Sequence, residues 1–206
     1  MDTSIQDYLK VVADAVASTG PAPLEAMVDV LETAFHGGKT IYTFGNGACA
    51  ALAGHMACDL GKGASLDLDL GPDVLAGKRV RIVSLNDCVP LVTALANDLR
   101  YEDVFLEQLK NLLVPGDVAF GLSGSGGSPN VLRALRYARN AGAVTVSMTG
   151  AQEKAGLIAE LSDVCVRAPL AMMEQIEDAH VVYFHAIAKA LQARIRAAAA
   201  TQKADA

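Results

Sequence analysis

The chain opens with two segments in which apolar residues recur every three or four positions, as they do along one face of a helix. The first includes Leu9 and Val12, and the second includes Met27 and Leu31. Residues 19–23, with one glycine and two prolines, separate the two segments. The pattern therefore predicts a pair of helices that form an N-terminal helical arm over about residues 2–36.

Five short runs rich in β-branched and apolar residues follow, each separated from the next by a stretch of helical character. They occupy residues 40–44, 80–85, 118–122, 143–148 and 164–166. This alternation predicts an α/β fold with a mostly parallel sheet covered by helices on both faces. Ligands of such sheets bind at the carboxyl ends of the strands, where the segments 45–47, 86–87 and 123–128 fall.

The last predicted helix spans about residues 172–198 and is both long and apolar, with Ile176, Phe184 and Leu191 at helical spacing. One small sheet cannot cover so long an apolar helix, which predicts that copies of the chain associate through helices. Alanine-rich turns and a polar end over residues 201–206 are expected to follow this helix, which predicts a flexible tail over about residues 199–206. With no internal repeat and no linker, residues 1–206 are predicted to form a single domain.

Composition and charge narrow the function classes. The chain has 206 residues, of which 52% are apolar, and its 23 acidic and 17 basic residues give a net charge of −6. This balance disfavours nucleic-acid binding. The acidic, polar N-terminus and the lack of a long apolar run predict a cytoplasmic protein that does not enter a membrane.

The four cysteines show no metal or redox spacing, so we expect reduced thiols. Cys58 and Cys165 are predicted to be small buried apolar residues. Cys49 stands at a predicted helix start, which makes it a candidate for a lowered pKa.

Between the strand at 118–122 and a predicted helix at 130–141 lies a loop in which Ser123, Ser125 and Ser128 are interleaved with glycines. Glycines, hydroxyls and a helix N-terminus favour anion binding. No Lys or Arg occurs between Val118 and Leu132, which excludes a P-loop and favours a phosphate monoester over a nucleoside triphosphate. The alternative is an ordinary glycine-rich turn whose serines cap the helix.

Polar side chains recur at helical spacing in two places. His55 and Asp59 lie four residues apart on a predicted helix at 48–60, and Glu177 and His185 lie eight residues apart on the last helix. Two imidazoles and two carboxylates can form a divalent metal site or an acid–base pair. Each taken singly is also explained as a solvated or hydrogen-bonded structural residue.

The remaining histidines have simpler interpretations. His36 stands at a predicted helix end, where it can interact with the helix dipole. His180 lies three residues after Glu177, so we interpret it as a structural residue that pairs or packs locally.

Several collinear motifs together resemble the phosphoheptose isomerase branch of the sugar-isomerase (SIS) domain family, over about residues 5–195. They are residues 44–50, His55-x-x-x-Asp59, Asn86-Asp87, and residues 96–109, 123–132 and 177–185. The resemblance implies a flavodoxin-like parallel sheet sandwiched by helices, and a homotetramer with active sites shared between subunits. The reaction it implies is the interconversion of sedoheptulose 7-phosphate and a D-glycero-D-manno-heptose 7-phosphate.

The resemblance also implies which residues bind the substrate, a sugar phosphate. Gly124 occupies a position where the family often has Thr, and Cys49 one where it usually has Ser. The implied substrate-binding residues are Asn46, Gly47, Cys49, Asn97, Asp98, Ser123, Gly124, Ser125 and Ser128.

For catalysis the resemblance implies His185 as one acid–base group, with Asp59 in place of the family's Glu and Glu177 in place of its Gln. In zinc-containing members the same positions bind metal, which makes His55, Asp59, Glu177 and His185 the implied zinc ligands. The shorter carboxylate of Asp59 and the added negative charge of Glu177 predict that the geometry and charge of this site differ from those usual in the family.

The leading hypothesis is an aldose–ketose isomerase that works through a cis-enediol. A second hypothesis is a non-catalytic SIS protein that binds a sugar phosphate, or that associates with a replication initiator, because a fold does not fix a function. Nucleotide binding is a distant third hypothesis, since the serine loop contains no Lys.

Overall fold

The computed structural model describes residues 4–64 and 79–204. Eight α-helices and five strands alternate over these residues, with a short 3-10 turn at Tyr101–Asp103. The helices are α1 (Ile5–Thr19), α2 (Ala22–His36), α3 (Ala48–Gly63), α4 (Val89–Asp98), α5 (Val104–Leu112), α6 (Pro129–Asn140), α7 (Ala155–Glu160) and α8 (Met173–Ala204), and the strands are β1 (Thr40–Gly45), β2 (Arg81–Ser84), β3 (Val118–Leu122), β4 (Val144–Thr149) and β5 (Val164–Arg167).

The five strands form one parallel sheet in the order β2-β1-β3-β4-β5. This is the strand order of flavodoxin-like sheets, which confirms the predicted fold class. The order reverses between β1 and β3, so the loops that follow these two strands diverge and leave a crevice at their carboxyl ends. Gly45 of β1 pairs with Leu122 of β3 at that edge.

Apolar side chains fill both faces of the sheet. On one face, α2, α3 and α8 bury residues such as Leu31, Met56 and Phe184. On the other face, α5 and α6 bury Phe105 and Leu135 beside the strands. Helices on both faces explain why β1 and β3 are buried along their whole length.

The predicted helical arm is present as α1 and α2, and α8 packs against both of them. Arg194 of α8 forms ion pairs with Glu25, Asp29 and Glu32, which lie along one side of α2. Tyr8 of α1 donates a hydrogen bond of 2.7 Å to Asp178 Oδ2. These polar contacts fix the start and the later part of α8 against the arm.

The largest difference from the predicted elements is at the end of α8. The helix continues to Ala204, so the predicted change from helix to turns after residue 198 is wrong. Residues 197–200 are four consecutive alanines, and alanine has the highest helix propensity of all residues.

Among the helices of the described residues, none combines the length and the apolar character needed to span a membrane.

Candidate functional site

The serine loop follows β3 and turns its hydroxyls toward one another. Ser123 Oγ lies 3.0 Å from Ser128 Oγ and 3.5 Å from Ser125 Oγ. The backbone N–H of Gly126 donates to Ser123 Oγ at 3.1 Å. Ser128 occupies the N-cap position of α6, yet its side chain makes no capping hydrogen bond. The alternative in which the Ser128 side chain caps α6 is therefore wrong. The hydroxyls of Ser123, Ser125 and Ser128 instead lie close to one another.

A cleft of about 260 Å³ separates the serine loop from the start of α3. Glu177 reaches it from α8, and Gly47 lines it from the turn after β1. Gly47 has φ of +57°, a conformation that residues with a Cβ rarely adopt. The predicted substrate-binding residues that line this cleft are Asn46, Gly47, Cys49, Ser123, Gly124, Ser125 and Ser128.

Asn97 and Asp98, also predicted to contact the sugar, lie elsewhere. They are exposed at the end of α4, where Asn97 Nδ2 donates to Asp98 Oδ1 at 2.9 Å. Neither residue lines the cleft within the single chain. Their role in sugar binding stays a prediction.

The amide of Asn46 is held by partners that no single motif indicated. Asn46 Nδ2 donates to Asn130 Oδ1 at 2.9 Å, and Asn130 Nδ2 donates back to Asn46 Oδ1 at 2.8 Å. Tyr101 Oη donates to the same oxygen at 2.8 Å. Asn46 Oδ1 thus accepts two hydrogen bonds, which leaves its second N–H as the group that can reach a ligand.

The predicted pair on α3 meets His185 of α8. His55 Nε2 lies 3.2 Å from Asp59 Oδ2, and His185 Nε2 lies 3.7 Å from the same oxygen. The two imidazole Nε2 atoms are 3.4 Å apart. The three residues form the His55–Asp59–His185 cluster, the one group of metal-ligand atoms within mutual reach among residues 4–64 and 79–204.

The cluster has dimensions that suit zinc. Bonds of about 2.0–2.1 Å in a tetrahedral site place ligand atoms about 3.3 Å apart. The three observed separations, 3.2, 3.4 and 3.7 Å, are close to that spacing. Three protein ligands and one open position are the arrangement of catalytic zinc sites.

Glu177, the fourth predicted ligand, lies outside the His55–Asp59–His185 cluster. Glu177 and His185 are eight residues apart, which at a helical rise of about 1.5 Å per residue places them about 12 Å apart along α8. Burial raises the pKa of Glu177, and the nearby charges of Glu174 and Asp178 raise it further. A carboxylate with a raised pKa keeps its proton closer to neutral pH, which suits an acid–base role.

Cys49 and Glu177 connect the cleft to the cluster. Both line the 260 Å³ cleft, and both line a neighbouring cavity of about 310 Å³ that also contains His55. The site is therefore a strip between α3 and α8, with the serine loop at one end and the His55–Asp59–His185 cluster at the other.

The cysteine predictions were partly wrong. Burial raises the pKa of Cys49, whose thiol is enclosed at the start of α3. Cys58 is exposed because it lies on the outer face of α3. Cys165 is partly buried, and all four thiols are free, as expected for reduced cysteines.

His180 is fully buried beside the site, as expected for a structural histidine. Its Nε2 lies 3.2 Å from the carbonyl oxygen of Thr149, so Nε2 carries the proton and donates it. Nδ1 has no hydrogen-bond partner among the described residues. Burial lowers the pKa of His180 to about 4, so the ring is neutral at physiological pH.

This depressed pKa predicts a pH-dependent stability. The unfolded chain binds a proton near pH 6.5 and the folded chain only near pH 4, so stability falls as the pH falls through this interval. We expect the unfolding free energy to decrease by about 2 kcal/mol between about pH 7 and about pH 5. Chemical denaturation should show that His180→Gln, which keeps a donor for Thr149, removes most of this decrease. An equally steep decrease in the variant would contradict the assignment.

The parallel sheet and the crevice at its switch point, with the serine loop at its edge, define a flavodoxin-like α/β protein. The SIS domain family matches residues 6–150, and the chain belongs to this family. Its curated relatives include a phosphoheptose isomerase of Geotalea daltonii, 29% identical over 94% of both chains. Another, of Mycobacterium tuberculosis, is 34% identical over 80% of this chain and 78% of its own length.

Solved structures show the same fold. The phosphoheptose isomerase from Neisseria gonorrhoeae superposes with a TM-score of 0.78 at 23% identity, over 91% of this chain and 94% of its own. The enzyme from Francisella tularensis gives 0.76 at 20% identity, over 91% and 95%. The predicted SIS fold is thereby confirmed.

Proposed function

We propose that the protein is an isomerase that interconverts sedoheptulose 7-phosphate and D-glycero-D-manno-heptose 7-phosphate. The observation that carries this proposal is the strip between α3 and α8, which has hydroxyls for a phosphate at one end and acid–base groups at the other. Curated relatives named phosphoheptose isomerase, at up to 34% identity among those compared, support the same activity. The non-catalytic alternative is not favoured by these relatives.

The serine loop holds the end of the substrate that does not react. Hydroxyls of Ser123, Ser125 and Ser128 donate to the phosphate oxygens, and the binding energy gained there positions the far end of the sugar. Asn46, fixed by Asn130 and Tyr101, offers its remaining N–H to the sugar chain.

The reaction at the other end is a pair of proton transfers that leaves the overall composition of the sugar unchanged. A base takes a proton from C1 of the open-chain ketose while the C2 carbonyl oxygen gains one, which gives a cis-enediol. Loss of the O1 proton and return of a proton to C2 then gives the aldose. We assign the carbon-bound proton to His185, and the oxygen-bound protons to a carboxylate, Asp59 or Glu177.

We further propose that a zinc ion is held by His55, Asp59 and His185, and that Glu177, the fourth predicted ligand, stays outside this set and leaves one position open. A zinc ion bound there would supply Lewis-acid chemistry that stabilises negative charge developing on the oxygens of the substrate. The spacing within the His55–Asp59–His185 cluster supports this proposal.

Metal analysis tests the zinc proposal. Purified protein is expected to contain about one zinc ion per chain, because three ligand atoms already stand at zinc spacing. His55→Ala removes one of them, and its zinc content should fall at least about tenfold. His180→Gln serves as the matched control and should keep its zinc. Equal zinc in the wild type and in His55→Ala would contradict the proposed ligand set.

We also propose a homotetramer whose subunits complete one another's sites. No residue of α4 is buried in the single described chain; Val89 at its start is 62% exposed, and Leu99 just after its end is 58% exposed. The His55–Asp59–His185 cluster is also open to solvent on one side. Light scattering is expected to give about four times the chain mass of 21.4 kDa, and a monomeric mass would contradict the proposal.

A cytoplasmic location is proposed as well, because a phosphorylated sugar is a charged metabolite that does not cross membranes unaided.

Incubation with sedoheptulose 7-phosphate, with and without a chelator, tests the activity. Formation of the aldose phosphate that stops with chelator and recovers with added zinc would support the isomerase and its metal. Calorimetric binding of the sugar phosphate without any product would contradict the proposed activity and support the non-catalytic hypothesis.

A further inference from the structure

The serine loop has a second side that the sequence motifs did not indicate. Ser125 and Ser128 line the substrate cleft, and they also line a separate cavity of about 320 Å³ on the outer side of the loop. The opposite wall of this outer cavity is formed by Gln152, Glu153 and Lys154, which lie between β4 and α7.

Two glycines of the loop allow this wall to approach closely. A Cβ at Gly127 would lie 2.7 Å from Lys154 Cδ and 2.9 Å from Lys154 Cβ. A Cβ at Gly126 would overlap Ala155 Cα and would lie 3.0 Å from the Lys154 carbonyl oxygen. At each glycine the nearest of these contacts is shorter than real Cβ atoms show, so the two glycines make room for Lys154 and Ala155. The aliphatic part of Lys154 is thereby packed across the loop backbone.

The negative charge of the expected phosphate ligand favours a positively charged side chain beside the serine loop. A phosphate monoester carries about −1.5 to −2 charges at pH 7, whereas serine hydroxyls and glycine N–H groups donate without a full charge. The loop itself supplies no cation, since residues 119–131 contain no Lys or Arg. Lys154 is the cationic residue that shares a cavity with Ser125 and Ser128. The exposed carboxylate of Glu153 also lines this cavity and partly offsets the positive charge of Lys154.

We propose that Lys154 binds the phosphate group of the substrate, with its ammonium group reaching the phosphate from the outer cavity. The inference rests on the proposed function, because it takes the anion in the loop to be the phosphate of a sugar. It assigns to Lys154 the selection of the dianionic over the monoanionic phosphate, since a nearby positive charge stabilises the second ionisation.

Calorimetric titration with inorganic phosphate and with sedoheptulose 7-phosphate tests this assignment. Lys154→Met is expected to weaken the binding of both ligands roughly 10-fold at low salt, and the difference from wild type should shrink at high salt. Lys154→Arg should restore binding to within about 3-fold of wild type, because it keeps the charge. Lys110→Met is the matched control, since Lys110 pairs with Glu107 on α5 and lines neither cavity.

The outcomes separate this inference from the proposed function. Unchanged phosphate binding in Lys154→Met, or a weakening that salt does not reduce, would overturn the role of Lys154. Failure of the wild type to convert sedoheptulose 7-phosphate would overturn the proposed activity instead. In that case a salt-sensitive loss of phosphate binding in Lys154→Met would still support the lysine assignment.

Discussion

Replacing His185 with alanine is expected to lower kcat for sedoheptulose 7-phosphate roughly 10³-fold while the protein stays folded. The imidazole of His185 lies 3.4 Å from His55 Nε2 and 3.7 Å from Asp59 Oδ2, so its removal opens the cluster on which the chemistry depends. The side chain is 48% exposed, and its loss should change the unfolding free energy by less than about 1 kcal/mol. Steady-state kinetics and urea denaturation of the same preparation measure both quantities.

His36→Ala is the matched control for His185→Ala. His36 ends α2 beside Glu32, away from the strip between α3 and α8. Its removal should leave kcat within about 2-fold of wild type, because exposed residues outside a site have small effects. Full activity in His185→Ala would refute the placement of the reaction at the His55–Asp59–His185 cluster.

Gly126→Ala is expected to destabilise the protein by roughly 3 kcal/mol or more. Gly126 has φ of +70°, where a residue with a Cβ is strained, and the added methyl group would overlap the backbone of Ala155. Backbone atoms cannot rotate away as a flexible side chain can, so the loop between β4 and α7 must shift. Urea denaturation with an unchanged m-value measures the loss.

Gly156→Ala provides the comparison for Gly126→Ala in the neighbouring helix α7. A Cβ at Gly156 meets no atom within 4 Å and φ is not positive there, so alanine should be neutral or should stabilise by about 0.5–1 kcal/mol. A loss smaller than about 1 kcal/mol in Gly126→Ala would show that the serine loop is not packed against Ala155 as described.

Much of the fold could be predicted because its signals are local. Each strand is a short apolar run, and β3 (Val118–Leu122) matches its predicted bounds. The serine loop was predictable for the same reason, since its glycines and hydroxyls are contiguous in sequence. The i, i+4 spacing on α3 was sufficient to place His55 and Asp59 on one face.

Contacts between distant segments could not be predicted in this way. Asn46 pairs with Asn130 across 84 residues. Lys154 lies in the segment between β4 and α7 and packs against Gly127. Only the close approach of the two backbones brings this lysine to the serine loop. Tyr8 meets Asp178 through the packing of α1 on α8. Glycines after a strand indicate that another segment packs closely against the loop backbone, but the sequence does not identify that segment.

The position of Glu177 shows a further limit. Eight residues on a helix correspond to about 800° of rotation, which leaves Glu177 and His185 about 80° apart around α8 and two turns apart along it. Sharing roughly one side of the helix was therefore not enough to bring Glu177 to the cluster. It lines the cavity between the cluster and the serine loop instead.

Isomerisation in deuterium oxide tests the proposed activity of the protein. Sedoheptulose 7-phosphate is incubated with the zinc-loaded protein, and the products are followed by proton NMR. We expect an aldose heptose 7-phosphate that carries deuterium at C2, because the proton returned to C2 passes through a solvent-exchangeable group of the site. Recovery of unchanged ketose, at a protein concentration where calorimetry shows that the sugar phosphate is bound, would contradict it.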